Sequence, residues 1–349
     1  EKSLICYVNF FGSNAGASNS GDMVISIGND SGYSNTGDVV IMVGHNAGYS
    51  NIGNNVNVIG DSAGLENTGS IVNAFGNSAT DSNSGSTVNS IGNNSSKNNS
   101  GDYVNAFGDS AAINNSGNLL HAFGYEAGKS NSGEYVNTFG SGAGTNNSGD
   151  RANFIGSAVG QSNSGDYVVG LGEFAADTNT GSYVVSIGES SASHNSGSNV
   201  NFLGTHAGWV NSGNYVVGLG EYVADGNTGS VANLIGYSAG QGNSGNYTNF
   251  IGFGAGVSNS GVNVNVFGNN AGQLNAGDHN LFLGNETATS PSSLSGCIML
   301  GTGAYATSNN QLAIGSTSVP LLTAGSGTAT GKFLVVQLNG QTLKLQLFS

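Results

Sequence analysis

The stretch Tyr103-Val104-Asn105-Ala106-Phe107-Gly108 decides the fold, because the chain repeats its pattern every sixteen residues. An apolar residue followed by Gly recurs at Phe11-Gly12, Ile27-Gly28, Val43-Gly44, Ile59-Gly60 and Phe75-Gly76, and continues without slip to Leu283-Gly284. From Phe11 to Leu283 is 272 residues, or 17 steps of 16, and every such position carries Phe, Ile, Leu or Val. A fixed period of this length is the mark of a solenoid, in which each repeat stacks on the last. The expectation is an all-β parallel β-solenoid of 16-residue coils.

Alternation inside the quoted stretch sets the strand. Successive strand side chains point to opposite faces. Phe107 lies on one face and Val104 and Ala106 on the other, and Val recurs at Val24, Val56, Val72, Val136, Val200 and Val264. A strand apolar on both faces is buried on both faces. One face must fill the coil's own interior, and the other needs a partner outside it. The residues expected inside are one large apolar side chain, one Val and a small Ala such as Ala15 or Ala63 per repeat. So little apolar volume per ordered residue predicts a closed ring of identical chains with parallel axes.

Two polar features keep the same period. Seven residues after each repeat Gly from Gly12 to Gly268 stands an Asn, and two further on a second Gly, as in Asn35-Thr36-Gly37 and Asn259-Ser260-Gly261. These read as corners, with Gly expected to supply a positive φ and Asn to bond its own backbone. Within the strand, Asn9, Asn57, Asn73, Asn89, Asn105, Asn137, Asn153, Asn201, Asn233, Asn249 and Asn265 share one site. Coils about 4.8 Å apart would let such amides bond up and down the stack.

Composition limits the partners. The chain has 349 residues, 60 Gly, 2 Pro, 7% charged residues and a net charge of −14. That charge disfavours nucleic acid, which needs a basic stripe, and anionic membrane surfaces. No apolar run is long enough to insert in a membrane. Glu1-Lys2-Ser3 opens the chain without Met, which suggests a processed piece of something longer. Cys6 and Cys297 stand at opposite ends of the array, so no disulfide between them is expected.

At the end of the array the spacing changes. Gly301-Thr302-Gly303-Ala304-Tyr305-Ala306-Thr307-Ser308-Asn309-Asn310-Gln311-Leu312-Ala313-Ile314-Gly315 contains a 14-residue step from Leu300 to Ile314. This segment resembles the head repeat of YadA-like trimeric autotransporter adhesins. The 16-residue units, such as Asn265-Val266-Phe267-Gly268-Asn269-Asn270-Ala271-Gly272, resemble a longer variant found in bacterial surface proteins and phage tail fibres. Over roughly residues 5–316 the resemblance implies a left-handed β-roll, a homotrimer and no catalytic residues. It leaves out the family's coiled-coil stalk, membrane anchor and chaperone domain; a chaperone released after Ser349 is the expectation for a phage-type fibre.

Three segments follow: residues 1–284 as the regular solenoid, 285–316 as irregular head-like coils, and 317–349 as a C-terminal cap. In the last, Lys332–Leu338 and Gln341–Leu347 alternate around Asn339-Gly340, a strong hairpin signal. The end of a solenoid needs such a cover.

Chemistry is sparse. His45, His121, His194, His206 and His279 fall at different repeat positions with no metal or nucleophile spacing. The acids after the corner Gly, Asp22, Asp38, Asp102, Glu134, Asp150, Asp166 and Asp278, read as solvated surface charge; a calcium ion bridging them is the alternative, though no nonapeptide calcium motif is present. Tyr7, Tyr103, Tyr135, Tyr167, Tyr183, Tyr215 and Tyr247 form a stripe suited to chain–chain packing or to a glycan. Trp209, Tyr222 and Tyr237 are the candidate surface contact. Glu173, Glu189 and Glu221 share a site and are the candidates for a glycan-cleaving fibre. An ice-binding solenoid would show flat arrays of Thr, whereas Asn29, His45, Asp61, Tyr125 and Glu173 are mixed. The expectation is a non-enzymatic, extracellular, structural or adhesive rod about 85 Å long, without cofactor, on a cell or virion surface. Its receptor would be a host-surface protein or glycan, and a phage tail fibre or spike is the alternative role.

Overall fold

The computed structural model describes residues 7–319, 329–338 and 341–348, the last two segments as backbone only. The expectations for Glu1-Lys2-Ser3, Cys6, the Asn339-Gly340 turn and Ser349 lie outside the described residues. Among the described residues there is no α-helix.

One short strand forms per coil, from β1 (Val8–Phe11) through β2 (Val24–Ile27) to β18 (Leu281–Leu283). Each pairs in parallel with the next at a register of sixteen, for example Val56↔Val72 and Ile59↔Phe75. The register then changes as the spacing indicated. Leu283 pairs with Leu300 in β20 (Ile298–Leu300), and Leu300 pairs with Ile314 in β22 (Leu312–Ile314). A side ladder joins β19 (Ala288–Thr289) to β21 (Tyr305–Ala306). Farther on, β23 (Ala329–Leu338) pairs antiparallel with β24 (Gln341–Phe348), which is the hairpin the alternation indicated.

The interior differs from expectation in one respect. In every four-residue strand after β1 the first and third residues are buried: Val56 and Val58 are both 0% exposed, while the fourth, Ile59, is 42% exposed. The large apolar residue before each repeat Gly therefore faces outward, not into the coil. Strand alternation gives the coil's interior only one face, and the face that carries the Val and the third strand residue takes it. Its interior is filled instead by the strand Val, the third strand residue, an Ala such as Ala63 and the corner Asn.

Volume is balanced inside each coil. The third strand residue faces the position six residues later. Where the former is large, the latter is Gly: Met42 with Gly48, Val58 with Gly64, Phe154 with Gly160, Phe202 with Gly208, Leu234 with Gly240, Phe250 with Gly256. A Cβ on any of these glycines would overlap the facing side chain. Where the former is small, the latter gains a methyl or hydroxyl: Ala106 with Ala112, Ser90 with Ser96, Gly170 with Ala176, Gly218 with Ala224. Phe282 with Ala288, where the 16-residue register ends, departs from the rule, and two apparent exceptions keep it by other means. Met42 of the next coil reaches over Gly32, and Leu120, in a site usually held by Val, lies against Gly128. Close packing at the density of a protein interior leaves no other solution.

The two recurrent glycines have different causes. Gly60 has φ +145, a conformation that side-chain-bearing residues rarely adopt. The corner glycine, Gly69, has no positive φ, contrary to the expectation for that corner. It is Gly because a Cβ would overlap the carbonyl of Gly85 in the next coil.

The corner Asn does more than close its own turn. Each donates through Nδ2 to its own corner carbonyl and to the Asn Oδ1 of the preceding coil, as Asn51 does to Gly53 O (2.9 Å) and Asn35 Oδ1 (2.8 Å). The chain of buried amides runs unbroken from Asn19 to Asn275. It stops where the 16-residue period stops. There Asn280, fully buried in a position mostly held by Val, donates to Asn275 Oδ1 (2.9 Å) and Leu294 O (2.6 Å) and accepts from the Cys297 N–H (2.8 Å). Buried polar atoms need partners, and Asn280 supplies one to the last amide of the ladder. Cys297 itself is a buried free thiol.

Candidate contact surfaces

The outward strand face carries three columns along the axis. The apolar column is half-exposed throughout: Ile91 47%, Phe139 41%, Leu203 49%, Ile251 41%. Its rings stack between coils, with Phe107, Phe123 and Phe139 at 4.9 Å centroid spacing. Such a spacing is what one coil per step requires.

Beside it runs the strand Asn column. Asn57 donates to Asn73 Oδ1 (3.0 Å), Asn73 to Asn89 (2.9 Å) and Asn89 to Asn105 (2.8 Å). His121 continues it, with Nδ1 2.9 Å from Asn105 Nδ2. Further on Asn137 donates to Asn153 (2.8 Å), and Asn233, Asn249 and Asn265 form another run. Asn201, between Val185 and Val217, has no amide neighbour in this column; where two of the expected amides stand in adjacent coils they pair. Their donors point toward higher residue numbers, opposite to the corner ladder.

The third column holds the tyrosines, each just before its strand and at positive φ, as Tyr103 (φ 58) and Tyr215 (φ 57). Tyr167 and Tyr183 stack at 4.7 Å. Arg151 takes the same site one coil earlier and lies between Tyr135 and Tyr167, 5.4 and 5.1 Å from their ring centres, a cation–π arrangement. Between the tyrosine and Asn columns a shallow groove of about 320 Å³ is lined by Val231, Asn233, Tyr247, Asn249, Asn263 and Asn265.

The acids after the corner Gly have a structural task. Asp38 Oδ1 accepts the Asp22 N–H (2.7 Å), Asp150 that of Glu134 (2.8 Å), Asp166 that of Asp150 (2.9 Å). Asn54 and Ser182 accept in the same way. The site therefore selects for a short oxygen acceptor, and Asp, Asn and Ser interchange there. Among the described residues no group of three His, Cys, Asp or Glu could hold a metal ion. Glu173 and Glu189 stand one coil apart, Glu189 and Glu221 two.

The histidines take local partners. His45 Nδ1 lies 3.1 Å from Asp61 Oδ1, and that hydrogen bond holds the Asp61 carboxyl below the usual carboxylate range. Both side chains are more than half exposed, so water screens the pair. His194 lies 2.9 Å from Ser193 Oγ.

His206 joins the candidate contact residues. Trp209, Tyr222 and Tyr237 belong to one aromatic cluster. His206 stacks on Tyr222 (5.1 Å, 15°) and meets Trp209 edge-on (6.5 Å, 85°). Tyr222 meets Tyr237 edge-on (5.7 Å, 73°), and Tyr237 stacks on Phe253 (5.0 Å, 7°). His206 and Phe253 were not among the sequence candidates. The period gives the signal: His206 and Tyr222 share one repeat site, and Tyr237 and Phe253 share the site before it.

No protein-family model matches the chain, and no curated protein matches it significantly. The fold and its surfaces define a parallel β-solenoid repeat protein.

Proposed function

We propose that the chain forms the shaft of an extracellular fibre, a homotrimeric rod that displays adhesive surface on a cell or virion. The observation that supports this most is the outward strand face. Its apolar column runs from Phe11 to Ile314, half-exposed at nearly every coil. Monomeric soluble proteins rarely expose a contiguous apolar patch of more than a few hundred Å², and parallel strands are normally covered on both faces. Sister chains with parallel axes cover such a face along its full length, whereas a globular partner would cover one part. The resemblance of the repeat to YadA-like head units and phage fibre repeats points the same way and suggests three chains. The terminal hairpin serves, in this reading, to close the last coil.

Function then follows from stiffness. Each coil is tied to the next by strand hydrogen bonds and by amide ladders, so the rod holds its length and resists proteases. Electron microscopy of the purified protein tests the proposal. A straight particle about 90 Å long with a three-lobed cross-section is expected; isolated thin single solenoids would overturn it.

A further inference from the structure

We propose that the cluster of His206, Trp209, Tyr222, Tyr237 and Phe253 is a binding site for uncharged saccharide chains. This rests on the reading of the rod as adhesive and names what one part of it holds. The cluster is exposed for a ligand: Trp209 is 41%, Tyr237 43% and Phe253 53% accessible. Its rings alternate between stacked and perpendicular contacts over four successive coils. The exposed ring area of Trp209, Tyr237 and Phe253 is thereby spread along the axis. A pyranose packs its C–H face on an aromatic face and turns its hydroxyls to polar neighbours.

Those neighbours are in place. Asp225 follows Trp209 at the same repeat site one coil on, and its Oδ2 accepts from Gln241 Nε2 of the coil after (2.9 Å). Thr205 and Glu221 precede Tyr237 at its own site. Carboxylate and amide pairs of this kind accept from and donate to vicinal hydroxyls.

Charge decides the class of saccharide. Between Arg151 and Lys332 the chain has no Lys or Arg, while Asp166, Glu173, Asp177, Glu189, Glu221, Asp225, Asp278 and Glu286 are acidic. A sialylated, sulfated or phosphorylated ligand would meet a negative surface with no counter-ion. A purely apolar partner would leave the carboxylates unmatched. A cationic peptide would match the charge but not the run of ring faces, so it is an outcome of the test.

Trp209 is the only tryptophan, so its fluorescence reports on this site alone. The assembled protein is titrated with a β-linked glucose hexamer, an N-acetylglucosamine hexamer, a heparin hexasaccharide and a lysine octapeptide. Saturable change is expected with at least one neutral hexamer, at a Kd below about 1 mM, and none with heparin. Tyr222→Ala and Tyr237→Ala should each weaken binding about tenfold or more, and Tyr49→Ala, outside the cluster, should leave it unchanged. Assembly mass, measured on each variant, shows whether the rod is intact. A failed rod would appear there; a failed site appears as an intact rod whose Trp209 responds to neither neutral hexamer, only to the lysine peptide, or equally in Tyr237→Ala. If both Ala variants lose the rod, the wild-type titration alone decides.

Discussion

Replacing Asn147 by Ala should loosen the solenoid far more than replacing Asn105, although both are ladder amides of adjacent regions. Asn147 is buried. Its Nδ2 donates to Asn131 Oδ1 (2.8 Å) and Gly149 O (2.8 Å), and its Oδ1 accepts from Asn163 Nδ2 (2.9 Å). The substitution strands two acceptors, and Asn163 keeps its bond to Gly165 O. At about 1–3 kcal/mol for each of these two buried groups left unpaired, the cost is roughly 2–6 kcal/mol. Asn105 accepts from Asn89 and faces His121 on the half-buried outer surface, where water can replace both contacts in the single chain. Its loss should cost about 1 kcal/mol. Because repeat arrays open locally rather than all at once, hydrogen exchange read by mass spectrometry is the assay. Amides in 145–165 should exchange about thirtyfold to ten-thousandfold faster in Asn147→Ala. Equal effects from the two variants would refute the distinction between the buried and the outer ladder.

Three further outcomes follow from the packing. Asn280→Val restores the apolar side chain of its column but orphans Asn275 Oδ1, Leu294 O and the Cys297 N–H; it should cost at least about 3 kcal/mol, seen as local opening around 275–300, and unchanged exchange there would contradict its role as ladder terminator. Gly160→Ala should cost at least about 1 kcal/mol through its φ of +63 and overlap with Phe154, and the cost should fall in a Phe154→Ala background, where strict additivity would refute the volume balance. Thr248 is fully buried with its hydroxyl unpartnered, so Thr248→Val should stabilise by about 1 kcal/mol; greater denaturant sensitivity would show that the hydroxyl has a partner.

The period, the strand, the 14-residue step and the hairpin were legible because each is written in spacing. What spacing could not show was which face of the strand turns inward. Phe107 and Val104 are both apolar, so either face could have been the inner one; the stacked coils turn the Val104 and Ala106 face inward and Phe107 outward. The corner Gly misled for a related reason. Gly69 looks like a turn residue, yet its constraint comes from the carbonyl of Gly85, sixteen residues away. The acid column was readable as charge, but its hydrogen bonds to the backbone of the preceding coil appear only once the coils are stacked. The aromatic cluster was half visible. Trp209, Tyr222 and Tyr237 stood out as aromatics, while His206 and Phe253 join them only through the superposition of repeat sites.

The central claim is that the apolar outer face of the solenoid is covered by identical chains. Sedimentation equilibrium of the full chain measures this directly. A single species at three times the chain mass of 34.7 kDa, persisting in detergent, is the expected result; a stable species at 34.7 kDa with the Phe107–Phe139 face open to water would contradict it.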